Sequence, residues 1–537
     1  MQPNSVFDLF AAAAGRNPDG PFLCVLPETA AAYGLEAGEI GYAEALARTR
    51  ALSDAYARAG FGAGHRVGLL LENRPAFLYH WFALNRIGVS VVPINPDLRA
   101  AEIEYMIGHS EMVAAVAIAS RRRDLETAAA AAGRAVQIID PDGAPELLAT
   151  PFQFVEPDAD TECALLYTSG TTGRPKGCVL ANEYFFVCGD WYANVGGLIS
   201  LRENCERMIT PLPLFHMNAM ACSAMGMLRV AGCLTVVDRF HPKSWWNSVR
   251  KSRATVLHYL GVMPAMLMAA PPDPSDRMEN VRFGFGAGVD RTLHAPFEQR
   301  YGFPLIEAWA MTETGSGAVI SAHREPRHVG TNCFGRATPD VETRVALDDG
   351  SEAPVDTPGE LLVRRSGAAP RYGFFREYLK DPEATAEAWA GGWFHTGDVV
   401  RRAADGSFHF VDRKKNVIRR SGENISAVEV ESVLQQHPAI RQVAVVATPD
   451  AVRGDEVLAL VTAHDEKLDE PATAQDIARF CLSRLAYYKA PGWIGFVRGI
   501  PLTGTQKIQR GALKELAQEK MDAGACHDLR ALKKRTA

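Results

Sequence analysis

The chain has 537 residues, 47% hydrophobic and 22% charged, with a formal net charge of −6. This is the composition of an ordinary globular protein, long enough for three or four structural units of about 150 residues each. The mild acidity excludes a global basic field that would draw in nucleic acid or an anionic membrane.

The opening stretch, MQPNSVFDLFAAAAG, has no basic segment ahead of an apolar core and carries Asp8. It reads as neither a secretory signal nor a transit peptide. FDLFAAAA is too short to span a bilayer, so no integral membrane segment is expected. The ten cysteines are scattered without a CxxC pair. Neither a zinc site nor a disulfide framework is indicated, and a reducing cytoplasm is the expected setting.

The first half alternates strands and helices. VGLLLEN (67–73) is a short apolar run suited to a strand buried on both faces, and RPAFLYHWFALNRIG has helical spacing with Pro near its start. VSVVPIN (89–95) predicts a strand, AAEIEYMIGHS a helix and VAAVAIA a strand. The pattern resumes with CLTVVD (233–238), a helix from Pro242 and the strand ATVLHYL. This order predicts an α/β fold with a largely parallel sheet covered by helices.

Beyond Gly330 the texture changes. ETRVALDDG, GELLVRR and DGSFHFVDR are short strands broken by DG and PG turns, as in a small antiparallel subdomain. The polar, basic DRKKNVIRRSGENIS follows, then a helix in SAVEVESVLQQHP with a capping box from Ser426 and Glu429. QVAVVATPD and VLALVTA read as strands around an exposed GDE turn, and TAQDIARFCLSRL as a helix. The composition change puts a domain boundary near 413–415, giving a large domain over 1–412 and a small α+β domain over 413–537. No solenoid repeat or low-complexity tract is present.

Between two of the first-half segments lies LLYTSGTTGRPKG (165–177). A Walker A loop needs G-x-x-x-x-G-K-[S/T]; here Lys176 follows Pro175 and precedes Gly177, so this is not a standard P-loop. The ingredients are still those of phosphate binding. Backbone amides freed by Gly170 and Gly173, hydroxyls of Thr168, Ser169, Thr171 and Thr172, and the Lys176 cation can all face phosphate oxygens. Taken alone, such a loop is as readily a solvated turn.

The wider sequence decides between them. YTSGTTGRPKG resembles the signature loop of the adenylate-forming superfamily of acyl-CoA ligases, luciferases and peptide-synthetase adenylation domains. Further motifs follow in that superfamily's order: PLPLFH at 211–216, FGFGAG at 283–288, WAMTET at 309–314, GWFHTGD at 392–398, DRKKNVIRRSGENI at 412–425 and PLTGTQKIQR at 501–510. The resemblance covers nearly the whole chain and leans weakly toward carnitine/crotonobetaine-type CoA ligases. It implies a large N-terminal domain of stacked αβαβα sheets with a small antiparallel subdomain, and a mobile C-terminal domain hinged near Lys415.

The implied chemistry has two steps: MgATP activates a carboxylate to acyl-AMP with release of pyrophosphate, and coenzyme A then takes the acyl group. Positioning and electrostatics supply most of the catalysis of such a phosphoryl displacement. By resemblance, residues 168–176 hold the β- and γ-phosphates, Glu313 binds Mg²⁺ and Thr312 donates to the α-phosphate. Trp309 stands where the family has an adenine-stacking tyrosine, and Ala310 replaces the usual glycine ahead of Met311. Gly286, Ala287 and Gly288 form the adenine-side wall, where small residues allow close backbone approach. Asp398 accepts the ribose hydroxyls and Arg413 helps hold the ribose. Lys507 is the adenylation lysine, bridging carboxylate and α-phosphate, with Gln506 in place of the customary glycine before it. A cation there is worth about 3 kcal/mol in the transition state.

Lys415 is the implied hinge. Rotation about it withdraws Lys507 and presents the loop of Ser421, Gly422 and Glu423, opening a thiol channel. His216 sits at the junction of acyl pocket and thiol channel, as a gate or a general base.

The acyl pocket is expected from residues 215–220, 261–266, 284–288 and 309–318. Apart from Glu313 and His216 these carry no charged or titratable group, which favours a monocarboxylic acid, since a second carboxylate would lack an Arg partner. Trp309 and the methionines at 217, 220, 263 and 266 make the pocket apolar and adaptable, compatible with short or medium fatty acids, with aryl acids, or with a quaternary ammonium on an aromatic face. Lys414, Arg419 and Arg420 read most simply as a solvated hinge face, with a basic patch for the nucleotide phosphates of coenzyme A as the alternative. Transfer to a carrier-protein thiol is an alternative, disfavoured because only a charged tail (DLRALKKRTA) follows the last motif. A nucleotide-binding protein without turnover is another, disfavoured by the intact Glu313, Asp398, Arg413 and Lys507. A homodimer is compatible with the sequence.

Overall fold

The computed structural model describes residues 3–149, 151–152, 155–168, 174–347, 349–413, 417–465, 469–501 and 510–534. The chain divides into two compact units: Met1–Pro96, Ile107–Tyr167 and Gly177–Asp412 in one, Asp97–Met106, Thr168–Lys176 and Arg413–Ala537 in the other.

The larger unit is α/β and holds three sheets. In the seven-stranded sheet, Arg66–Leu70 lies between Ser90–Pro93 and Ala114–Ala117, parallel to both. The apolar run predicted over 67–73 stops early because the chain turns at Glu72, with φ +56°. The predicted helix at 100–110 is Ala100–Ser110, of which only the part from Ile107 belongs to this unit, whereas the one expected from Pro242 begins at Trp245.

An eight-stranded sheet runs in the order Ile320–Ser321, Leu305–Trp309, Phe283–Ala287, Val256–Leu260, Arg207–Thr210, Cys233–Val236, Pro21–Val25 and Gly38–Gly41. Its core is parallel and its two edge pairs are antiparallel. Alternation along Val256–Leu260 sends Val256 into one core and Leu257 and Tyr259 into another. The first core also takes Val67, Val91 and Val116 from the seven-stranded sheet, together with the helix Pro75–Asn85. That helix is apolar around its circumference and buried from Phe77 to Asn85, as a helix enclosed in a core must be.

The expected antiparallel subdomain is a five-stranded sheet in the order Cys333–Gly335, Phe408–Arg413, Phe394–Arg402, Gly359–Arg365 and Val341–Ala346.

The smaller unit is α+β. The strands Ile440–Asp450 and Gly454–Ala463 form a long antiparallel hairpin, and Trp493–Phe496 joins Gly454–Ala463 in parallel. The helices Ala427–Leu434 and Glu470–Leu482 pack on this sheet. The Ser426 side chain lies outside the described residues; Glu429 accepts from Lys489 Nζ at 2.8 Å.

Three expectations are corrected here. The GDE segment is not an exposed turn: the turn falls at 451–453, and Gly454–Ala463 is strand with Glu456 fully buried. Arg420 is not part of a surface patch, since it is 3% exposed and paired with Glu456 at 2.9 Å. The C-terminal segment is more than a charged tail. Cys526–Asp528 pairs with Trp493–Phe496, and Leu529 and Lys533 are buried.

Candidate active site

Strand alternation and one bulge bring the first pair of expected residues together. Trp309 ends the strand Leu305–Trp309 and is buried. Asp398 lies in Phe394–Arg402, whose register against Gly359–Arg365 shifts between Glu360 and Leu362. Such a bulge re-aims the side chains around it, and Gly397, at φ +67°, permits the bend. Thr396 Oγ1 fixes the bulge by donating to the Leu361 carbonyl at 2.7 Å and accepting from the Asp398 N–H at 3.0 Å. Asp398, 1% exposed, thereby accepts from the Trp309 indole N–H at 2.8 Å.

After Trp309 the chain leaves the sheet as a compact loop. Ala310, in place of the family's glycine, is exposed, so its methyl group meets no crowding. The Met311 N–H donates to Thr314 Oγ1 at 3.0 Å, Tyr184 OH to the Thr312 carbonyl at 2.9 Å and the Phe375 N–H to the Glu313 carbonyl at 2.9 Å. Glu313 is buried, and its Oε1 accepts from Tyr378 OH at 3.0 Å. Burial and the facing Glu313 carboxylate push the Tyr378 phenol far above its ordinary range. The phenol therefore stays a donor. Tyr378 comes from the two-residue strand Glu377–Tyr378, paired with Lys176–Ala181.

The wall at 286–288 is built by neighbouring backbone. A Cβ on Gly286 would stand 2.1 Å from the Tyr259 carbonyl oxygen, and one on Gly261 would stand 1.6 Å from the Gly288 carbonyl oxygen. The small residues are thus required by strand contact, whatever ligand they face. Gly288 adopts φ +81°. Behind it sits Glu307, buried in the strand Leu305–Trp309. Its carboxylate accepts from the Gly288 N–H at 2.9 Å, the Val289 N–H at 3.2 Å and Tyr259 OH at 2.8 Å. Burial raises its pKa above the usual carboxylate range.

His216 and the segment after it open a π-helical stretch, Asn218–Ala224. The His216 ring lies against Phe215, centroids 4.5 Å apart and planes inclined at 58°. Asn218 Oδ1 and Ser223 Oγ meet His258 Nδ1 at 3.2 and 2.7 Å, and Tyr192 OH meets its Nε2 at 2.8 Å. Burial drives His258 down to about 3, so the imidazole is neutral.

Other predicted residues fall elsewhere. Thr168 and Lys176 end and begin the strands that flank the glycine-rich loop. The loop's exit is anchored by Tyr105, whose hydroxyl donates to the Pro175 carbonyl at 3.1 Å and whose ring lies under Arg174. Ser169, Gly170, Thr171, Thr172, Gly173, Lys415 and Lys507 lie outside the described residues, as does the Arg413 side chain. Ser421 and Gly422 form an exposed two-residue turn with φ +50° and +88°, leading into Glu423.

Sequence reasoning missed Glu307, Tyr378, Tyr184, His258 and Tyr105. Glu307 left a signal, an acid inside the otherwise apolar LIEAW; the others are single aromatic residues or a histidine outside the motifs, where packing is the default reading.

Residues 10–373 match the AMP-binding enzyme family, and residues 429–507 match the AMP-binding enzyme C-terminal domain. The crotonobetaine/carnitine–CoA ligase of Shigella flexneri is 29% identical over 472 residues, covering 85% of this chain and 89% of its own. A solved malonyl-CoA ligase, complexed with methylmalonyl-CoA and AMP, is 26% identical with TM-score 0.73, over 90% of this chain and 97% of its own. A double mutant of o-succinylbenzoate CoA synthetase from Bacillus subtilis shares the fold, with TM-score 0.80 at 24% identity over 96% of this chain and 98% of its own.

Proposed function

This chain belongs to the AMP-binding enzyme family, and we propose that it is an AMP-forming acyl-CoA ligase acting on a monocarboxylic acid. The observation that carries the reading is the meeting, in one unit, of the Trp309–Asp398 hydrogen bond with the 309–314 loop that holds Glu313. A buried carboxylate beside an aromatic face suits a nucleoside: the ring offers the base a stacking surface, and the acid accepts from ribose hydroxyls.

In the first half-reaction a carboxylate oxygen attacks the α-phosphorus of ATP, the bond to the β-phosphate oxygen breaks, and pyrophosphate leaves. Residues 168–176 hold the departing phosphates, Thr312 donates to the α-phosphate, and Lys507 bridges it to the attacking acid. In the second, the thiol of coenzyme A attacks the acyl carbonyl, loses its proton and expels AMP. The 421–425 loop serves this step after rotation near Lys415, with His216 at the channel.

Mg²⁺ fits Glu313. A hard cation commonly takes one protein carboxylate and completes its shell with substrate phosphates and water. Among the described residues no group of three or more His, Cys, Asp or Glu side chains forms a self-sufficient metal cage. When bound, the ion neutralises phosphate charge. Tyr378 orients the carboxylate that would hold it.

For the acid, the pocket segments favour one carboxylate and an apolar or quaternary-ammonium remainder, in keeping with the crotonobetaine/carnitine specificity named for the relatives. All ten cysteines are free thiols, which supports a cytoplasmic setting, and no described helix is long and apolar enough to cross a membrane.

The test is a panel of acids, crotonobetaine, carnitine and C4–C12 fatty acids among them, assayed for ATP–pyrophosphate exchange and then for AMP release with and without coenzyme A. One or more acids should support exchange, and coenzyme A should accelerate AMP release. Exchange with none of them would remove the ligase reading. Lys507→Ala should abolish exchange yet spare thioester formation from supplied acyl-adenylate.

A further inference from the structure

One buried cluster of charges in the smaller unit has no part in the chemistry above. Glu456, in the strand Gly454–Ala463, is fully buried, and two cations converge on it. Arg420 donates from Nε to Oε2 at 2.9 Å, and Lys533 donates from Nζ to Oε1. Arg420 is 3% and Lys533 7% exposed. Gly492 makes room: a Cβ there would lie 2.5 Å from Glu456 Cγ and Cδ. Burial, with Arg420 beside it, pushes the Lys533 ammonium down to about 7; removing ionisable groups from water is costly, and apolar side chains often stabilise such a site better. A cluster of this kind is best explained by what it joins.

On one side it joins a hairpin. Arg420 is the last residue of Val417–Arg420, opposite Glu423 across the Ser421–Gly422 turn. Backbone bonds brace the same end: the Ser421 N–H donates to the Arg453 carbonyl at 2.9 Å and the Arg419 N–H to Asp455 Oδ2 at 3.0 Å. On the other side it joins the C-terminal segment. There Arg530 pairs with Asp450 at 3.0 Å and Asp528 at 2.7 Å, and lies over the Trp493 ring at 4.6 Å.

We propose that Glu456, itself held by Lys533, is a positioning residue that fixes the Arg420 end of the 421–425 hairpin for the thioester-forming half-reaction. The proposal rests on the assignment of that hairpin to the coenzyme A step. The C-terminal segment is then a working part of the acyl-transfer machinery.

The full-length variants Lys533→Met and Glu456→Gln test it, with the acid that best supports exchange and coenzyme A as the varied probe. ATP–pyrophosphate exchange should stay within twofold of the parent. Thioester formation from supplied acyl-adenylate should slow about tenfold with a raised KM for coenzyme A, and Lys533→Arg should restore it. Equal loss in both half-reactions, or none in either, overturns the proposal. Gly422→Val separates it from the reading beneath: if that variant spares thioester formation, the hairpin assignment falls. If Gly422→Val blocks the step while the Lys533 and Glu456 variants do not, the positioning role alone falls. Should the variants fail to fold, hydrogen exchange in the parent protein decides. Residues 417–426 and 526–534 should open together, and independent opening overturns the link.

Discussion

Trp309 and Asp398 stand 89 residues apart in the chain, and the indole N–H of one donates to the carboxylate of the other at 2.8 Å. One contact therefore ties the base-stacking candidate to the ribose-binding candidate. A hydrogen bond to a charged group is worth about 1.5–3 kcal/mol. Trp309→Phe keeps an aromatic face and loses the donor. Steady-state kinetics should show the KM for ATP rising about tenfold or more, with kcat changed less than threefold. An unchanged KM would leave Trp309 as packing only.

Tyr378 acts on the other end of the same loop. Its hydroxyl holds one oxygen of Glu313, and Tyr378→Phe frees that oxygen without changing the ring. The Mg²⁺ concentration for half-maximal ATP–pyrophosphate exchange should rise by about ten- to a hundredfold, the range expected when a ligand's supporting hydrogen bond is removed. The rate at saturating Mg²⁺ should recover most of its parent value. A magnesium titration that superimposes on the parent's would argue against Glu313 as the ligand.

Much of this site was legible in the sequence because its motifs are local. GELLVRR was bounded by its turns and is the strand Gly359–Arg365. Trp309, Glu313 and Asp398 each lie in a short recognisable string. What was not legible depends on distant partners. The adjacent arginines of RRSGENIS look like a solvated patch, but strand alternation puts Arg420 on the buried face with Ile418. The carboxylate that makes this tolerable, Glu456, is 36 residues away in a segment that reads as a polar turn. Likewise Gly286 suggested room for a ligand, whereas the nearest constraint is the Tyr259 carbonyl of the adjoining strand. Local pattern records periodicity and turns; it does not record which buried charges find each other.

Glu307 offers a sharper test of the 286–289 wall. Its carboxylate satisfies two backbone N–H groups and the Tyr259 hydroxyl. Glu307→Ala strands those donors in a buried site, at about 1–3 kcal/mol for an unsatisfied group. The denaturant midpoint should fall accordingly and the KM for ATP should rise. Glu307→Gln keeps an acceptor and should recover part of both. A variant with parental stability and KM would show the wall to be held by strand pairing alone.

Two histidines set an acid limit on the larger unit. His258 and His80 are fully buried, and burial lowers them to about 3 and about 4. His80 is enclosed between Tyr56 OH at 2.8 Å and the Pro141 carbonyl at 2.9 Å. An unfolded histidine titrates near 6.5, so protons bind the unfolded chain first. The stability that these imidazoles contribute is therefore present above about pH 6.5 and is lost as pH falls toward 4 and 3. The loss is about 1.4 kcal/mol per imidazole for each pH unit within that window. His258→Gln removes one titration. Its denaturant midpoint should lie below the parent's at pH 7.5, because the bonds to Ser223 and Tyr192 are disturbed, and the gap should narrow steadily on acidification to pH 5. Profiles that stay parallel over that range would mean that His258 already takes up its proton in the folded state.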